Sequence, residues 1–220
     1  MTAFVLGNGQ SRLRFNINNL KSYGTTFGCN AIYRDFMPDY LIAVDPEMLD
    51  EIIRHRVHYQ TNVLANYSAH TKISTIETNM PGIMDSGNLA TLHACQLGHK
   101  VIYMIGFDYV SNTKYSNNVY AGTPNYKSKT GPHVLTVTEQ SWYYRTIIML
   151  LRYPDVRFIR VNGNDYVPPI DEKNFVNVEP EEFNKEIPIF LPEVKPSQVT
   201  ETVQLNPRGF PYKRSRNEQI

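Results

Sequence analysis

Two stretches of the sequence combine glycine with small polar residues in a way that could bind a phosphate. Gly7-Asn8-Gly9, with Ser11 shortly after it, ends the apolar run 3–6, and Ser86-Gly87 begins a helical stretch. Glycine lets backbone amides approach an anion closely, and the positive end of the following helix favours the anion's charge. Gly7, Asn8, Gly9, Ser11, Ser86 and Gly87 could therefore bind a phosphate. The structural alternatives are an ordinary tight turn and N-capping by Ser86.

Three further polar residues stand where they could contact the rest of a nucleotide or a sugar. Asn30 can both donate and accept hydrogen bonds, which suits a base edge or ribose hydroxyls, although a polar turn would also explain it. Asp45 could bind ribose or a metal, or cap the helix that Pro46 begins. Asp108 ends the most apolar run, where its carboxylate could orient a sugar or a catalytic group, or cap the next turn.

His133 is a candidate for proton transfer, although a lone histidine in a loop is usually only a solvated polar residue. Imidazole titrates near neutral pH, so its neutral form can take a proton from a hydroxyl group. The other histidines fit solvated surface residues, and none lies at metal-ligand spacing from cysteines or carboxylates. The histidines therefore give no evidence of a metal site.

Apolar runs alternate with helical patterns up to about residue 165. Strands are predicted at 3–6, 40–44, 101–105 and 156–161, and helices at 13–20, 46–53, 88–97 and 136–151. This alternation predicts an α/β fold, a mainly parallel, doubly wound (Rossmann-like) sheet with helices on both faces. Such sheets bind ligands at the carboxyl ends of their strands. Residues 111–132 show no periodicity, and we predict a long loop there.

The sequence changes character after residue 165, where prolines become frequent. They stand at Pro168, Pro169, Pro180, Pro188, Pro192, Pro196, Pro207 and Pro211. Because proline lacks an amide hydrogen, this density argues against regular core structure. We predict a nucleotide-binding α/β domain at 1–165 and an extended C-terminal tail at 166–220. Such a tail would wrap the domain or a neighbouring subunit, which would give a homo-oligomer.

The overall composition argues against several classes of partner. Lysine and arginine number 22 against 21 acidic residues, so no global field attracts nucleic acid or an anionic membrane. The N-terminus reaches Gly7 without a basic segment, which predicts neither a signal peptide nor a membrane span. Cys29 and Cys95 are too few for a disulfide framework and fit a reducing compartment. We expect a cytoplasmic protein, of a cell or a phage.

The order of these motifs resembles the bacterial sialyltransferases that modify lipooligosaccharide, together with the related 6-hydroxymethylpterin diphosphokinase-like proteins. The resemblance covers roughly residues 3–165 at the level of motifs. The motifs are Gly7-Asn8-Gly9-Gln10-Ser11, Cys29-Asn30, the stretch from Asp85-Ser86-Gly87 to Gly106-Phe107-Asp108-Tyr109, and Gly131-Pro132-His133 before a helix. Residues 38–45 look more like the diphosphokinase relatives.

The resemblance implies a glycosyltransferase that moves a sugar from a nucleotide-activated donor to an acceptor hydroxyl, without a metal. In such an enzyme Asn30 would contact the nucleotide donor and His133 would be the general base. Tyrosine hydroxyls of the long loop, with Tyr109 and Tyr115 as candidates, would assist departure of the nucleotide phosphate. Nucleotide sugar and glycan acceptor are then the expected partners.

Two departures from the family leave other functions open. Ile83-Met84-Asp85 stands where the family has an arginine before the Ser-Gly pair, and Asp45 stands where the sialyltransferases have asparagine. One alternative is a diphosphotransferase of pterin-kinase type, in which Asp45 and Asp108 would hold Mg²⁺ and a nucleoside triphosphate would be the donor. The other is a noncatalytic nucleotide- or sugar-binding protein that kept the pocket. Metal dependence and turnover distinguish the three.

Overall fold

The apolar runs of the sequence form the centre of a parallel sheet. A computed structural model describes residues 1–67, 71, 73–78, 85–109, 117–126, 137–161 and 166–189. The strands are β1 (Thr2–Leu6), β2 (Thr25–Cys29), β3 (Tyr40–Ile42), β4 (Asn62–Ala65), β5 (Ser74–Thr75), β6 (Val101–Ile105), β7 (Arg157–Val161) and β8 (Phe175–Val178). Their order is β5-β4-β3-β2-β1-β6-β7-β8, and all neighbours are parallel. The predicted α/β fold is confirmed.

Helices cover both faces of this sheet. They are α1 (Pro46–Arg54), α2 (Ser86–Gln96), α3 (Val137–Arg152) and α4 (Pro180–Glu186). Side chains alternate along a strand, so Phe4 and Leu6 of β1 pack in one apolar cluster with α1, while Ala3 and Val5 pack in another with α2 and α3. Burial on both faces explains why the central strands read as continuous apolar runs.

The chain reverses its direction of travel across the sheet between β1 and β6. From β1 it adds β2 to β5 on one side, and it then returns to add β6 to β8 on the other. The loops that follow β1 and β6 therefore leave in opposite directions. A crevice opens between such loops at the carboxyl ends of the strands, and open α/β sheets bind their ligands there.

The segment between β1 and β2 differs from the single helix predicted at 13–20. It forms two short 3-10 helices, Gln10–Arg14 and Ile17–Ser22, on either side of Phe15. Phe15 is extended and buried, so its side chain reaches the core where a continuous α-helix would carry it around the helix axis. The apolar spacing was therefore right about burial at Leu20 but wrong about the helix type.

The core continues beyond residue 165, where the sequence indicated its end. β8 pairs in parallel with β7, and α4 packs Phe183 and Ile187 into the apolar cluster on the α1 face. Pro180 is tolerated because it begins α4, where an amide hydrogen would have no partner in the helix. The prediction of an extended tail is therefore wrong for residues 175–187. Residues 190–220 lie outside the described part of the chain.

Candidate functional site

A cavity of about 430 Å³ lies in the crevice between the loops after β1 and β6. Its walls come from the ends of the central strands, the first turn of α2, residues 117 and 118, and α3. The predicted site residues that line it are Gly7, Asn8, Gly9, Asn30, Asp45, Ser86, Gly87, Asp108 and Tyr109. Of the predicted residues that the structure describes, Ser11 alone lies outside the lining.

The Gly7-Asn8-Gly9 turn packs against the loop after β6 with glycine amides that are already paired. The Gly7 amide donates to the Ile105 carbonyl at 2.8 Å, and the Gly9 amide donates to the Gly106 carbonyl at 3.0 Å. These bonds fix the position of the cavity wall. They correct the prediction that the glycine amides of this turn bind a phosphate, because both have protein acceptors.

Asp108 and Ser11 form a buried pair behind this turn. The Ser11 amide donates to Asp108 Oδ2 at 3.2 Å, and the Ser11 hydroxyl donates to Asp108 Oδ1. Each residue is only 6% exposed. The Asp108 carboxylate therefore occupies the helix N-terminus that was predicted to bind the anion. These bonds join the loop after β6 to the first 3-10 helix. The roles that we predict for Ser11 in phosphate binding and for Asp108 in catalysis remain predictions.

Gly9 has no room for a side chain, which gives a testable consequence. A Cβ at Gly9 would lie 2.5 Å from Asp108 Cγ and 2.6 Å from the Gly106 carbonyl oxygen. We expect Gly9→Ala to lower the free energy of unfolding by about 1–3 kcal/mol, because one of the two loops must move. Denaturant unfolding measures this change. Gln10→Ala, at the exposed neighbour, is the control and should stay within about 0.5 kcal/mol of the wild type; equal stability of both variants would contradict the packing described.

The Tyr109 hydroxyl lies against Thr146 of α3. The Tyr109 backbone has φ 55°, and Tyr109 Oη lies 3.0 Å from Thr146 Oγ1. The Thr146 hydroxyl in turn donates to Asn88 Oδ1 of α2 at 2.8 Å. Burial raises the pKa of Tyr109 above its usual range. This hydroxyl links the loop after β6 to α2 and α3. The contact that we predict between Tyr109 and a leaving phosphate remains a prediction.

The first turn of α2 lines the cavity. Asp85 caps this helix, because its Oδ1 accepts from the Asn88 amide at 2.9 Å and its Oδ2 from Asn88 Nδ2 at 2.7 Å. Among the described residues, none accepts a hydrogen bond from the amides of Ser86 and Gly87. The Ser86 hydroxyl donates to Asn30 Oδ1 at 2.9 Å. First-turn amides lack partners within a helix, so an anion in this cavity could accept hydrogen bonds from them.

Asn30 and Asp45 bring polar side chains to the ends of β2 and β3. Asn30 follows β2 with φ 52°, a left-handed conformation that asparagine tolerates better than most residues. The Asp45 carboxylate makes no capping hydrogen bond at α1, which corrects the capping alternative. Burial, reinforced by the charge of Glu47, raises the pKa of Asp45. The contacts that we predict between these residues and a nucleotide remain predictions.

Arg145 lines the cavity although the sequence analysis did not identify it. It lies one turn after Trp142 on α3, and both residues form part of the cavity wall. Arg145 Nη1 is 3.7 Å from Asp85 Oδ2. The side chain of Arg145 thus lies beside Asp85, the residue directly before Ser86-Gly87. The segment Ile83-Met84-Asp85 itself contains no arginine. The signal was weak, because a charged residue in a helix usually faces solvent and only the spacing of Trp142 and Arg145 placed them on one face.

Buried polar contacts hold the segment 117–126 against α1. Arg34 Nε donates to Glu51 Oε1 at 3.0 Å, and Arg34 Nη1 donates to Thr123 Oγ1 at 2.7 Å. Asn125 Nδ2 donates to Glu51 Oε2 at 2.6 Å. The ion pair between Arg34 and Glu51 therefore anchors the segment at its far end.

The same segment contacts the turn after β1. The Val119 amide donates to the Asn8 carbonyl at 2.8 Å, and the Gln10 amide donates to Asn117 Oδ1 at 2.8 Å. Asn8 Nδ2 donates to the Cys29 carbonyl at 3.0 Å and lies 3.5 Å from Tyr126 Oη. The segment 117–126, of which Asn117 and Asn118 line the cavity, is thus fixed to the turn after β1 and to α1.

Two predicted catalytic residues, His133 and Tyr115, lie outside the described residues, so their roles remain predictions. Within the described ranges, no group of three or more His, Cys, Asp and Glu side chains is placed to hold a metal ion. In the same part of the chain, no helix has the length and apolar character needed to cross a membrane.

A solved sialyltransferase structure shares this fold, and two others are similar to it at lower scores. A variant of the sialyltransferase CST-II in complex with CMP has a TM-score of 0.51 and 12% sequence identity, covering 87% of this chain and 100% of that one. CstII from Campylobacter jejuni with cytidine-5'-monophosphate has a TM-score of 0.46 and 12% identity, covering 84% and 96%. The monofunctional alpha-2,3-sialyltransferase Cst-I from Campylobacter jejuni has a TM-score of 0.48 and 13% identity, covering 84% and 92%. No family model and no curated protein matches the sequence. The predicted sialyltransferase-like fold is confirmed by the first of these structures.

Proposed function

We propose that the chain is a glycosyltransferase that binds a nucleotide-linked sugar in this cavity and transfers the sugar to an acceptor hydroxyl. The observation that carries the proposal is the open first turn of α2, which faces a cavity at the reversal point of the sheet. The CST-II variant of the same fold binds CMP. This likeness supports a nucleotide as the ligand of the cavity, and the amides and polar side chains of the cavity wall would hold it.

The donor phosphate would lie at the first turn of α2. The amides of Ser86 and Gly87 would donate hydrogen bonds to its oxygens, and the positive end of the helix would favour its charge. Asn30 is held next to this turn by the hydrogen bond from Ser86, so it would contact the nucleoside. The Asp45 carboxylate, which caps no helix, would accept a hydrogen bond from a ribose hydroxyl.

The transfer step follows from the position of the leaving group. His133 would take the proton of the acceptor hydroxyl, and the acceptor oxygen would form a bond to the anomeric carbon of the sugar. The bond between that carbon and the donor phosphate oxygen would break, and the nucleotide would leave with the electron pair. The α2 amides, together with a phenol such as Tyr115, would stabilise the negative charge that develops on the phosphate. In this form the reaction needs no metal.

The diphosphotransferase alternative is not favoured by the position of its two carboxylates. Asp45 and Asp108 both line the cavity, but both oxygens of Asp108 accept hydrogen bonds from Ser11. Among the described residues, no third His, Cys, Asp or Glu side chain joins them in a group that could hold a magnesium ion. The noncatalytic alternative would bind the nucleotide at the same place and differ only in turnover.

Nucleotide binding tests the proposal directly. We expect at least one of CMP, UMP, GMP, their diphosphates or their sugar conjugates to bind without Mg²⁺, and a ligand at about 100 times its dissociation constant to stabilise the fold by about 2.7 kcal/mol. Ser86→Ala should weaken that ligand roughly 3- to 10-fold, because it removes the hydroxyl that holds Asn30. Calorimetry and thermal unfolding measure both effects.

The matched control is Ser74→Ala on β5, the strand at the edge of the sheet, which should bind the ligand with unchanged affinity. A panel in which no nucleotide binds would contradict the proposal. Binding that requires Mg²⁺ would favour the diphosphotransferase, and binding without transfer to any acceptor would favour the noncatalytic protein.

A further inference from the structure

Arg145 carries the positive charge of the cavity wall. Among the described residues that line the cavity, it is the single cationic side chain, and it shares the wall with Asp45, Asp85 and Asp108. Two of these carboxylates are already engaged, since Asp108 accepts from Ser11 and Asp85 accepts from Asn88. Arg145 is therefore not needed to satisfy their hydrogen-bonding capacity.

Within the described part of the chain, the guanidinium of Arg145 makes no hydrogen bond. Its contact with Asp85 joins Nη1 and Oδ2 at 3.7 Å, which is too long for a hydrogen bond. No described residue accepts a hydrogen bond from it. The side chain is 30% exposed, so it is mostly enclosed by the protein yet open to a molecule in the cavity. A planar guanidinium in this state is suited to bidentate binding of an oxyanion.

We propose that Arg145 binds an acidic group of the ligand, a phosphate or a carboxylate, and so makes the cavity selective for anions. This inference deepens the proposed function, because a nucleotide sugar offers a phosphate and some sugars add a carboxylate. Trp142 lies one turn earlier on the same wall of the cavity and would contact the ligand beside that anion. Arg145 then acts as a specificity-determining residue supplied by α3.

Trp142 gives a direct readout, because it is the one tryptophan of the chain. We expect inorganic pyrophosphate to change the Trp142 fluorescence of the wild-type protein, and calorimetry to give the same dissociation constant. Arg145→Gln should weaken pyrophosphate at least 10-fold, because a charge-assisted pair is lost. Arg145→Lys keeps the charge but lacks the planar guanidinium. Its affinity for pyrophosphate should lie between those of the wild type and Arg145→Gln. Arg152→Gln, at the end of the same helix, should bind like the wild type.

Nucleotide probes identify the source of the anion. If CMP also weakens about 10-fold in Arg145→Gln, the guanidinium binds the phosphate. In the other outcome, the affinity for CMP is unchanged in Arg145→Gln while the affinity for CMP-3FNeuAc, whose sugar carries a carboxylate, falls about 10-fold. The guanidinium then binds the sugar carboxylate. Pyrophosphate binding that depends on Arg145 while no nucleotide binds would uphold the anion site and contradict the proposed function.

Two results would overturn the inference. One is the absence of pyrophosphate binding by both methods in the wild type. The other is equal pyrophosphate affinity in the wild type and in Arg145→Gln, with circular dichroism showing that the variant is folded. A loss of thermal stability in Arg145→Gln with unchanged affinity would mean that Arg145 only offsets the charge of Asp85.

Discussion

Replacing His133 by alanine is expected to lower the turnover number of sugar transfer roughly 10²- to 10⁴-fold, the usual contribution of a general base. The acceptor hydroxyl must lose its proton as its oxygen attacks the sugar, and alanine cannot take that proton. Donor affinity should stay within about twofold of the wild type, because the base contacts the acceptor and not the nucleotide. Steady-state kinetics and calorimetry separate the two quantities.

A histidine elsewhere in the chain provides the control for this change. His58 lies in the short 3-10 helix Val57–Tyr59 that follows α1, outside the cavity lining. His58→Ala should therefore leave turnover unchanged. An enzyme whose turnover does not respond to His133→Ala would remove His133 from the mechanism while leaving the nucleotide site intact.

Replacing Glu51 by alanine is expected to lower the free energy of unfolding by about 3–5 kcal/mol. Glu51 is 4% exposed and pairs with Arg34, which is 9% exposed. Its removal leaves the Arg34 charge buried without a partner and also removes the acceptor of Asn125 Nδ2. Denaturant unfolding at neutral pH measures the loss. Glu47→Ala, at an exposed position of α1, should change stability by less than about 0.5 kcal/mol.

The stability lost in Glu51→Ala should depend on pH. Burial alone would raise the pKa of Glu51, but hydrogen bonds from Tyr33 and Arg34 and the charge of Arg34 outweigh it and hold the pKa below its usual range. A carboxyl group whose pKa is lower in the folded state stabilises the fold at pH values above its unfolded-state pKa of about 4.3. This stabilisation is lost as the pH falls through the folded-state pKa. The difference between wild type and Glu51→Ala should therefore shrink in acid; a difference that grows in acid, or one below about 1 kcal/mol at neutral pH, would contradict the role of this pair.

The sequence predicted the central strands and the helices on both faces because these elements follow their expected periods. β1, β6 and β7 are buried on both faces and read as apolar runs, and α2 and α3 begin and end near the predicted signals. β2 was missed because Thr25-Thr26-Phe27-Gly28-Cys29 contains glycine and polar residues, and its pairing is set by its neighbours in the sheet. β8 was missed because nearby prolines argued against regular structure.

The sequence indicated which residues share the cavity better than it indicated which of their groups already have hydrogen-bond partners. Parallel topology alone brings residues at the strand ends together, which is why Asn30, Asp45 and Ser86 share one cavity. Sequence cannot show which amides already have acceptors, and so it could not separate the paired amides of Gly7 and Gly9 from the open first turn of α2. Arg145 was missed because its place in the cavity depends on how α3 packs.

The position of a bound nucleotide shows whether the first turn of α2 is the phosphate site. A crystal structure with the nucleotide that binds tightest in the calorimetric panel should show its phosphate within hydrogen-bond distance of the Ser86 and Gly87 amides, with the nucleoside beside Asn30. A second cavity of about 430 Å³, lined by Pro154–Arg157 and Lys173–Val176 at the starts of β7 and β8, offers a clear alternative position. A nucleotide found there, or a phosphate bound by the Gly7-Asn8-Gly9 turn with the first turn of α2 left empty, would contradict the account.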